Sequence, residues 1–232
     1  MTRRDEISHG LQTVRDRVDG ACREAGRDPG DVTLVVVTKF FPAADVALLA
    51  ELGVRHVGEN RHQEAVDKSA ECADLDLVWH FIGGLQSNKA AAVASYADVV
   101  ESVDRAKVLK GLQRGAHDRG TDLDVLLQVS LDPPGTDGRA GVDAVDLPEL
   151  AAAVSQHPSL RLRGLMAVAP LGEDPAAAFA RLADIRSDFL ADHPDATSMS
   201  AGMSGDLEAA IHAGATHVRV GSAILGPRPV DK

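Results

Sequence analysis

One lysine stands where a short apolar run of the sequence ends. Lys39 follows Thr38 directly after three consecutive valines at residues 35–37. An amine at the mouth of an apolar core is desolvated, and desolvation lowers the pKa of a lysine because it penalises the charged form. A neutral amine can attack an aldehyde and form an imine. Lys39 is therefore a candidate for carbonyl chemistry, and a solvated lysine after a strand is the alternative interpretation.

Two serines follow later apolar runs at points where a helix is predicted to begin. Ser204 comes after Gly202 and Met203, and Ser222 comes after Gly221. The free N–H groups and the dipole at the start of a helix favour an anion. The pattern therefore predicts a phosphate site, whereas the alternative is that both serines are ordinary helix N-caps.

Three more polar residues lie within or directly after predicted strands. Arg219 stands between Val218 and Val220, so strand alternation puts its side chain on the opposite face from both valines. Its guanidinium needs a partner, which is either a ligand or a structural salt bridge. His80 is either a hydrogen-bonded core histidine or a base, and Asn60 is either a ligand contact or a helix N-cap.

These residues are positioned by a regular alternation of strands and helices. The predicted strands cover residues 32–37, 55–57, 77–82, 98–101, 124–129, 160–167, 197–201 and 217–220. The predicted helices cover residues 4–25, 43–52, 60–73, 87–95, 105–119, 147–156, 175–191 and 204–213, and Ser222 opens a last helical turn.

Strict alternation indicates an α/β protein with a parallel sheet. Eight repeats in 232 residues favour a closed (β/α)8 TIM-type barrel with an extra N-terminal helix, and an open doubly wound sheet is the alternative. In a barrel, function lies at the carboxyl ends of the strands, and phosphate sites often follow strands 7 and 8. The whole chain, residues 1–232, is predicted to be one domain, with residues 132–141 forming a long loop after a strand.

Composition and sequence pattern disfavour several classes of partner and site. The net charge of -11 disfavours nucleic acid and anionic membranes as partners. The two cysteines, Cys22 and Cys72, form no metal-ligand pattern, so no metal site is predicted. No run approaches the roughly 20 apolar residues of a membrane span, and the first residues are polar, unlike a signal peptide. We therefore expect a cytoplasmic protein.

Several motifs occur together in a fixed order along the chain. They are Val35-Val36-Val37-Thr38-Lys39, Val57-Gly58-Glu59-Asn60, Trp79-His80-Phe81-Ile82-Gly83, Leu85-Gln86-Ser87-Asn88-Lys89, Arg163-Gly164-Leu165-Met166, Gly202-Met203-Ser204 and Val218-Arg219-Val220-Gly221-Ser222-Ala223-Ile224-Leu225-Gly226. In these motifs the chain resembles the pyridoxal phosphate homeostasis proteins, which are relatives of the barrel domain of alanine racemase.

The resemblance implies pyridoxal 5'-phosphate (PLP) as the cofactor and assigns expected roles to nine residues. These are Lys39 as the imine lysine, Ser204, Gly221 and Ser222 near the phosphate, Asn60 beside the ring, Arg219 facing the pyridine nitrogen, Met166 and Met203 lining the pocket, and His80 as a motif residue without a firm role. Three positions depart from the family pattern. They are Ala201 in place of a usual methionine, Gly205 in place of a usual acidic residue, and Arg139-Ala140-Gly141 in place of Lys-x-Gly.

The resemblance also implies a function: PLP homeostasis without amino-acid catalysis, with apo PLP-dependent enzymes as expected partners. The alternatives are a single-domain racemase or decarboxylase of the same fold, and a lysine-imine aldolase. Racemases of this kind take a second base, a tyrosine, from an added β-domain of the partner subunit. The chain ends at Lys232 and its one tyrosine, Tyr96, precedes the fourth predicted strand. We therefore expect a monomer that lacks the two-base machinery.

Overall fold

Eight parallel strands close into a barrel in which every strand pairs with its neighbour in sequence and the last strand pairs with the first. The computed structural model describes residues 1–133 and 141–228. The strands are β1 (Thr33–Val37), β2 (His56–Glu59), β3 (Val78–Phe81), β4 (Val99–Val103), β5 (Leu123–Gln128), β6 (Leu160–Met166), β7 (Ser198–Ser200) and β8 (His217–Val220). The closed order confirms the predicted (β/α)8 barrel and excludes the open sheet.

A helix precedes β1, and a helix follows each strand. The helices are α1 (Arg3–Glu24), α2 (Ala43–Glu51), α3 (His62–Glu71), α4 (Ala90–Ala94), α5 (Leu109–Arg119), α6 (Leu147–Ser155), α7 (Pro175–Asp192), α8 (Leu207–His212) and α9 (Ser222–Leu225). Short 3₁₀ turns at Pro29–Asp31, Ala106–Val108 and Ala144–Asp146 precede β1, α5 and α6. Within the described ranges, no helix is both long and apolar enough to cross a membrane.

The helix predicted at residues 204–213 begins later than expected. Gly202 has a φ of +91°, and the backbone N–H of Met203 donates to Asp206 Oδ1 at 2.6 Å. These two features form a separate turn over residues 204–206, and α8 starts only at Leu207. The prediction that Ser204 opens a helix is therefore wrong, because Asp206 fixes a turn ahead of the helix. The helix predicted at 87–95 is likewise shorter, covering only Ala90–Ala94.

The apolar core lies between the barrel and its helices, and a cluster of polar side chains lies inside the barrel. Val36, Val57 and Val218 belong to a buried cluster that includes residues of α1 and α2. Their neighbours in sequence face the other way: hydrogen bonds join Glu101 of β4 with side chains of β3 and β7 across the interior. Because the strands alternate, one face of each strand packs on the helices, and the other face can carry polar side chains beside apolar ones such as Val35 and Leu126.

The first helix packs against the last. Helix α1 begins with a capping box, in which Thr2 and Asp5 each accept a hydrogen bond from the other's backbone N–H. Gly10 lies on its buried face, where a β-carbon would stand 2.6 Å from the carbonyl oxygen of Ile224 in α9. Gly20, in the same helix, has nothing within 4 Å of that position. Close approach of the two helices therefore requires glycine at position 10, whereas position 20 has room for a larger side chain.

The two glycines of α1 provide a matched test of this packing. Gly20→Ala should raise the free energy of unfolding by about 0.5–1 kcal/mol, because alanine restricts the unfolded chain and favours the helix. Gly10→Ala should lower it by roughly 1–3 kcal/mol, because the methyl group forces α1 away from α9. Urea denaturation of both variants measures the difference. Equal effects of the two substitutions would show that α1 does not depend on this contact.

Candidate functional site

One cavity of about 550 Å³ opens at the carboxyl ends of β1, β2, β3, β5, β6, β7 and β8. Eight of the nine residues predicted from the sequence line it: Lys39, Asn60, Met166, Met203, Ser204, Arg219, Gly221 and Ser222. They come from strands and loops distributed along the whole chain, and the closed barrel brings them together. This cavity is the candidate site.

Lys39 contributes an amine to the cavity. Val37 and Lys39 both line it, as strand alternation requires for residues two apart. Burial lowers the pKa of the Lys39 amine below its usual value, and the positive charge of Arg228 lowers it further. Glu59 and Glu64 act in the opposite direction but are outweighed. The amine thus has the direction of pKa shift that imine formation requires.

The turn that carries Lys39 has an unusual backbone conformation. Phe40 has a φ of +73°, a left-handed value that is rare for a bulky residue. Such a conformation costs about 1–3 kcal/mol and persists only where its surroundings impose it. Here the backbone N–H of Phe40 donates to Glu64 Oε1, and Lys68 Nζ donates to the carbonyl oxygen of Thr38 at 2.8 Å.

Lys68 is the centre of a buried charge cluster beneath this turn. Its Nζ donates to Glu59 Oε1 at 2.5 Å and to Glu64 Oε1 at 3.0 Å, while Thr38 Oγ1 donates to Glu59 Oε1 at 2.6 Å. Glu59 and Lys68 are both buried. Burial raises the pKa of the Glu59 carboxyl, although Lys68 and Thr38 oppose the rise. A cation at position 68 therefore both neutralises Glu59 and anchors the turn that carries Lys39.

Residues after the ends of β7 and β8 line one part of the cavity. Gly221 is the N-cap of α9, and a β-carbon there would lie 3.0 Å from the carbonyl oxygen of Val37, so the end of β8 lies against the end of β1. The N-cap of α8 is Asp206 and that of α3 is Arg61. The alternative interpretation of Ser204, Ser222 and Asn60 as N-caps is therefore wrong.

Arg219 points into the barrel and lies at the floor of the cavity. Its side chain is 4% exposed; Nη2 donates to the carbonyl oxygen of Ala167 at 2.9 Å and Nη1 donates to Ser200 Oγ at 2.6 Å. Nη1 also lies 3.8 Å from Glu101 Oε2. Burial lowers the pKa of the guanidinium, and Glu101 opposes that effect. Arg219 therefore combines the two interpretations given from the sequence: it forms a structural ion pair with Glu101, and it also lines the cavity.

His80 lies toward the other end of the barrel. His80 is not among the described residues that line the candidate site. It lines a second cavity of about 370 Å³ at the amino ends of the strands. Its Nδ1 donates to Glu101 Oε1 at 2.7 Å, and its Nε2 is 2.9 Å from Nδ1 of His56. The structure therefore agrees with the interpretation of His80 as a hydrogen-bonded core histidine.

The positions that depart from the family pattern have different surroundings. Ala201 is buried, whereas Gly205 lines the cavity, and a β-carbon at that position would meet nothing within 4 Å. Arg139 and Ala140 lie outside the described residues, as does most of the predicted loop at 132–141. In the part of the chain that the structure describes, Tyr96 does not line the cavity, and its ring stacks on His62 with centroids 5.9 Å apart.

Comparison with known proteins agrees with this fold. A family model described as "Alanine racemase, N-terminal domain" matches residues 10–229. The pyridoxal phosphate homeostasis protein of Mycobacterium tuberculosis is 43% identical over 247 residues, covering 97% of this chain and 94% of the relative. That of Escherichia coli is 39% identical, covering 98% and 99%. The chain belongs to the pyridoxal phosphate homeostasis protein family. A solved structure of PipY from Synechococcus elongatus, with PLP bound, is 37% identical with a TM-score of 0.82, covering 95% of this chain and 100% of PipY.

The sequence analysis missed several residues that shape this family member's site. Glu59 and Lys68 are nine residues apart, at a strand end and in a helix, so no local pattern indicates their pairing. The i,i+4 pair of Glu64 and Lys68 was the one visible signal. Arg228 was also missed; its guanidinium lies over the ring of Phe40, 4.4 Å from the centroid, at the mouth of the cavity.

Removing the Lys68 charge should weaken the fold beneath Lys39. Lys68→Met leaves Glu59 buried without its cation, so we expect a loss of about 3–5 kcal/mol in the free energy of unfolding. Lys110→Met is the matched control, because Lys110 is an exposed lysine within α5, and its effect should stay within about 0.5 kcal/mol. Denaturant unfolding measures both. A Lys68→Met protein as stable as the control would contradict this role.

Proposed function

We propose that this protein binds PLP in the candidate site as an imine on Lys39 and takes part in PLP homeostasis without turning over amino acids. The observation that carries the proposal is the meeting of a half-buried amine and a buried guanidinium, Lys39 and Arg219, in one cavity. Apo PLP-dependent enzymes are the proposed recipients of the cofactor. The single domain, the cytoplasmic location and the monomeric state stay predictions.

The residues present fit this cofactor in their chemistry. PLP carries an aldehyde, a pyridine nitrogen and a phosphate, and the cavity offers an amine, a buried hydrogen-bond donor and two strand-end turns. Its volume of about 550 Å³ lies in the range of small-molecule sites. Lys39 Nζ would attack the aldehyde carbon; a C–N bond forms and the carbonyl oxygen leaves as water. The lowered pKa of Lys39 supports this step, since only the neutral amine is a nucleophile.

We propose that the phosphate lies between the turn after β7 and the start of α9. The first N–H groups of a helix have no partner within the helix, so those after Gly221 are suited to an anion. Ser204 and Ser222 each bring a hydroxyl to the same cavity. Gly205 adds no side chain here, so backbone N–H groups would supply most of the binding.

We propose that Arg219 donates to the pyridine nitrogen and that this weakens the ring as an electron acceptor. PLP catalysis needs the ring to accept electrons from the substrate. The guanidinium of an arginine stays protonated in proteins. It can therefore donate a hydrogen bond to the ring nitrogen but does not transfer its proton to it. A ring nitrogen paired with arginine therefore stays unprotonated. This supports a binding role rather than a racemase or decarboxylase, as does the position of Tyr96 outside the lining of the cavity.

Reduction with borohydride tests the imine. The purified protein should carry a visible absorbance from PLP, and borohydride should fix the cofactor to Lys39 because reduction turns the imine into a stable amine. Peptide mass spectrometry identifies the labelled residue. Lys39→Ala should lose the label, whereas Lys89→Ala is the control, since Lys89 lines a neighbouring surface cavity and should keep it. A label on any other lysine would contradict the assignment.

Incubation with an amino acid tests the absence of turnover. L-alanine in deuterium oxide should give no D-alanine above a heat-denatured control, because the ring is a weak electron acceptor and no second base is expected in the cavity. Chiral chromatography and deuterium incorporation measure the outcome. Sustained racemisation that disappears in Lys39→Ala would show that the protein is an enzyme.

A further inference from the structure

A continuous chain of hydrogen bonds crosses the interior of the barrel from the candidate site to the opposite end. Arg219 Nη1 donates to Ser200 Oγ at 2.6 Å, and Ser200 Oγ donates to Glu101 Oε2 at 2.6 Å. The other carboxylate oxygen, Oε1, lies 2.7 Å from His80 Nδ1, and His80 Nε2 lies 2.9 Å from His56 Nδ1. Five side chains from five different strands are linked in this way.

Each carboxylate oxygen of Glu101 accepts a hydrogen bond, one from His80 and one from Ser200. A carboxylate only accepts hydrogen bonds, so Nδ1 of His80 must donate to it. Burial alone would favour the neutral acid, but the hydrogen bond from His80, the charges of His80 and Arg219 and the hydrogen bond from Ser200 together lower the pKa of Glu101 to about 2. Glu101 is therefore a carboxylate at neutral pH, held on both oxygens. The pKa of His56 is lowered to about 4, chiefly by burial, so its ring is neutral there.

We propose that Glu101 is a positioning residue for the cofactor site: acting through Ser200, it fixes the Arg219 guanidinium at the floor of the cavity. His80 and His56 hold the carboxylate from the far side. The inference rests on the proposed function, because the role of Arg219 toward the ring is part of it. Glu101 itself lines the second cavity, at the amino ends of the strands, and is not among the described residues that line the candidate site.

The length and charge of Arg219 explain why such a residue is needed. An arginine side chain has several rotatable bonds, so its guanidinium is placed only where other groups fix it. The carbonyl oxygen of Ala167 fixes Nη2, and Ser200 with Glu101 fixes Nη1. Without the carboxylate, a fully buried cation would lack its counter-charge and would move toward the open cavity. The ring nitrogen would then lose its fixed donor and become accessible to protonation.

The test replaces the carboxylate by an amide of the same shape. Glu101→Gln should bind PLP about tenfold more weakly than the wild type, in line with the loss of a hydrogen-bonded charge partner. The visible absorbance of the bound cofactor at neutral pH should also change. NMR of PLP carrying an isotope-labelled ring nitrogen should show that nitrogen shifted toward its protonated state. A residue that only stabilises the fold would change neither the absorbance nor the NMR signal of the cofactor that remains bound.

Asp124→Asn is the matched control. Asp124 also lines the second cavity and carries a carboxylate, but it pairs with Arg161 and Arg163 and not with Arg219. This variant should keep the wild-type PLP affinity, absorbance and ring-nitrogen signal. The same changes in both variants would overturn the proposal, since they would then follow from any loss of negative charge in the barrel.

Ser200→Ala decides the outcome if Glu101→Gln fails to fold or to retain PLP. It removes the hydroxyl that joins Glu101 to Arg219 and leaves both charges in place, so the ring-nitrogen signal should shift in the same direction by a smaller amount. An unchanged signal in a folded, PLP-loaded variant overturns the inference. Failure of the wild type to be labelled at Lys39 is a separate result, which would overturn the proposed function itself.

Discussion

The parallel ladder between β1 and β8 closes the barrel, and the candidate site depends on it. Val35 pairs with Arg219 and Val36 pairs with Val220, so the first and last strands run side by side toward the same end. Lys39 follows the end of β1, and this end lies beside the end of β8, where the turn before α9 begins. Gly221 allows this close approach, because a β-carbon there would lie only 3.0 Å from the carbonyl oxygen of Val37. The backbone hydrogen bonds between β1 and β8 thus bring the Lys39 amine, the Arg219 guanidinium and the turn before α9 close together.

Two buried ion pairs hold the parts of the site that the backbone does not fix. Glu59, at the end of β2, and Lys68, in α3, lie beneath the turn that carries Lys39, whereas Arg219 and Glu101 lie inside the barrel at and below the floor of the cavity. Each pair leaves no large uncompensated charge, which burial would make costly. Each also sets the position of a side chain or turn that lines the cavity. The apolar contacts between barrel and helices stabilise the fold, while these pairs place the functional groups.

The alternation of apolar runs was enough to predict the strands, the barrel and most of the site. The bounds of β8 agree with the prediction, and eight of nine predicted residues line one cavity. Those residues directly follow strands or lie in them, so their location needs only the strand ends and the closed order. The helix before β8 was misplaced because a local turn at Asp206 competes with helix formation, which periodicity does not report.

The sequence could not predict contacts that depend on the stagger of the strands. The alternation of side chains along a strand predicts that His80 and Glu101 face the barrel interior. Their positions along the barrel axis, however, depend on how far each strand is shifted against the next. That shift places His80 with the amino-end cavity and Glu101 between His80 and Arg219. No pattern in the sequence indicates that Glu101 of β4 and Arg219 of β8 are partners. For the same reason the motif that contains His80 gave no role for its side chain.

The contact between α1 and α9, together with the β1–β8 seam, has a consequence for the order of events during synthesis. A ribosome delivers Lys39 early and Arg219 late, so a nascent chain exposes the amine long before its barrel can close. Until β8 has emerged, β1 has an unpaired edge and the cavity lacks its floor and one of its walls. The complete cavity is therefore confined to chains whose last strand has been translated.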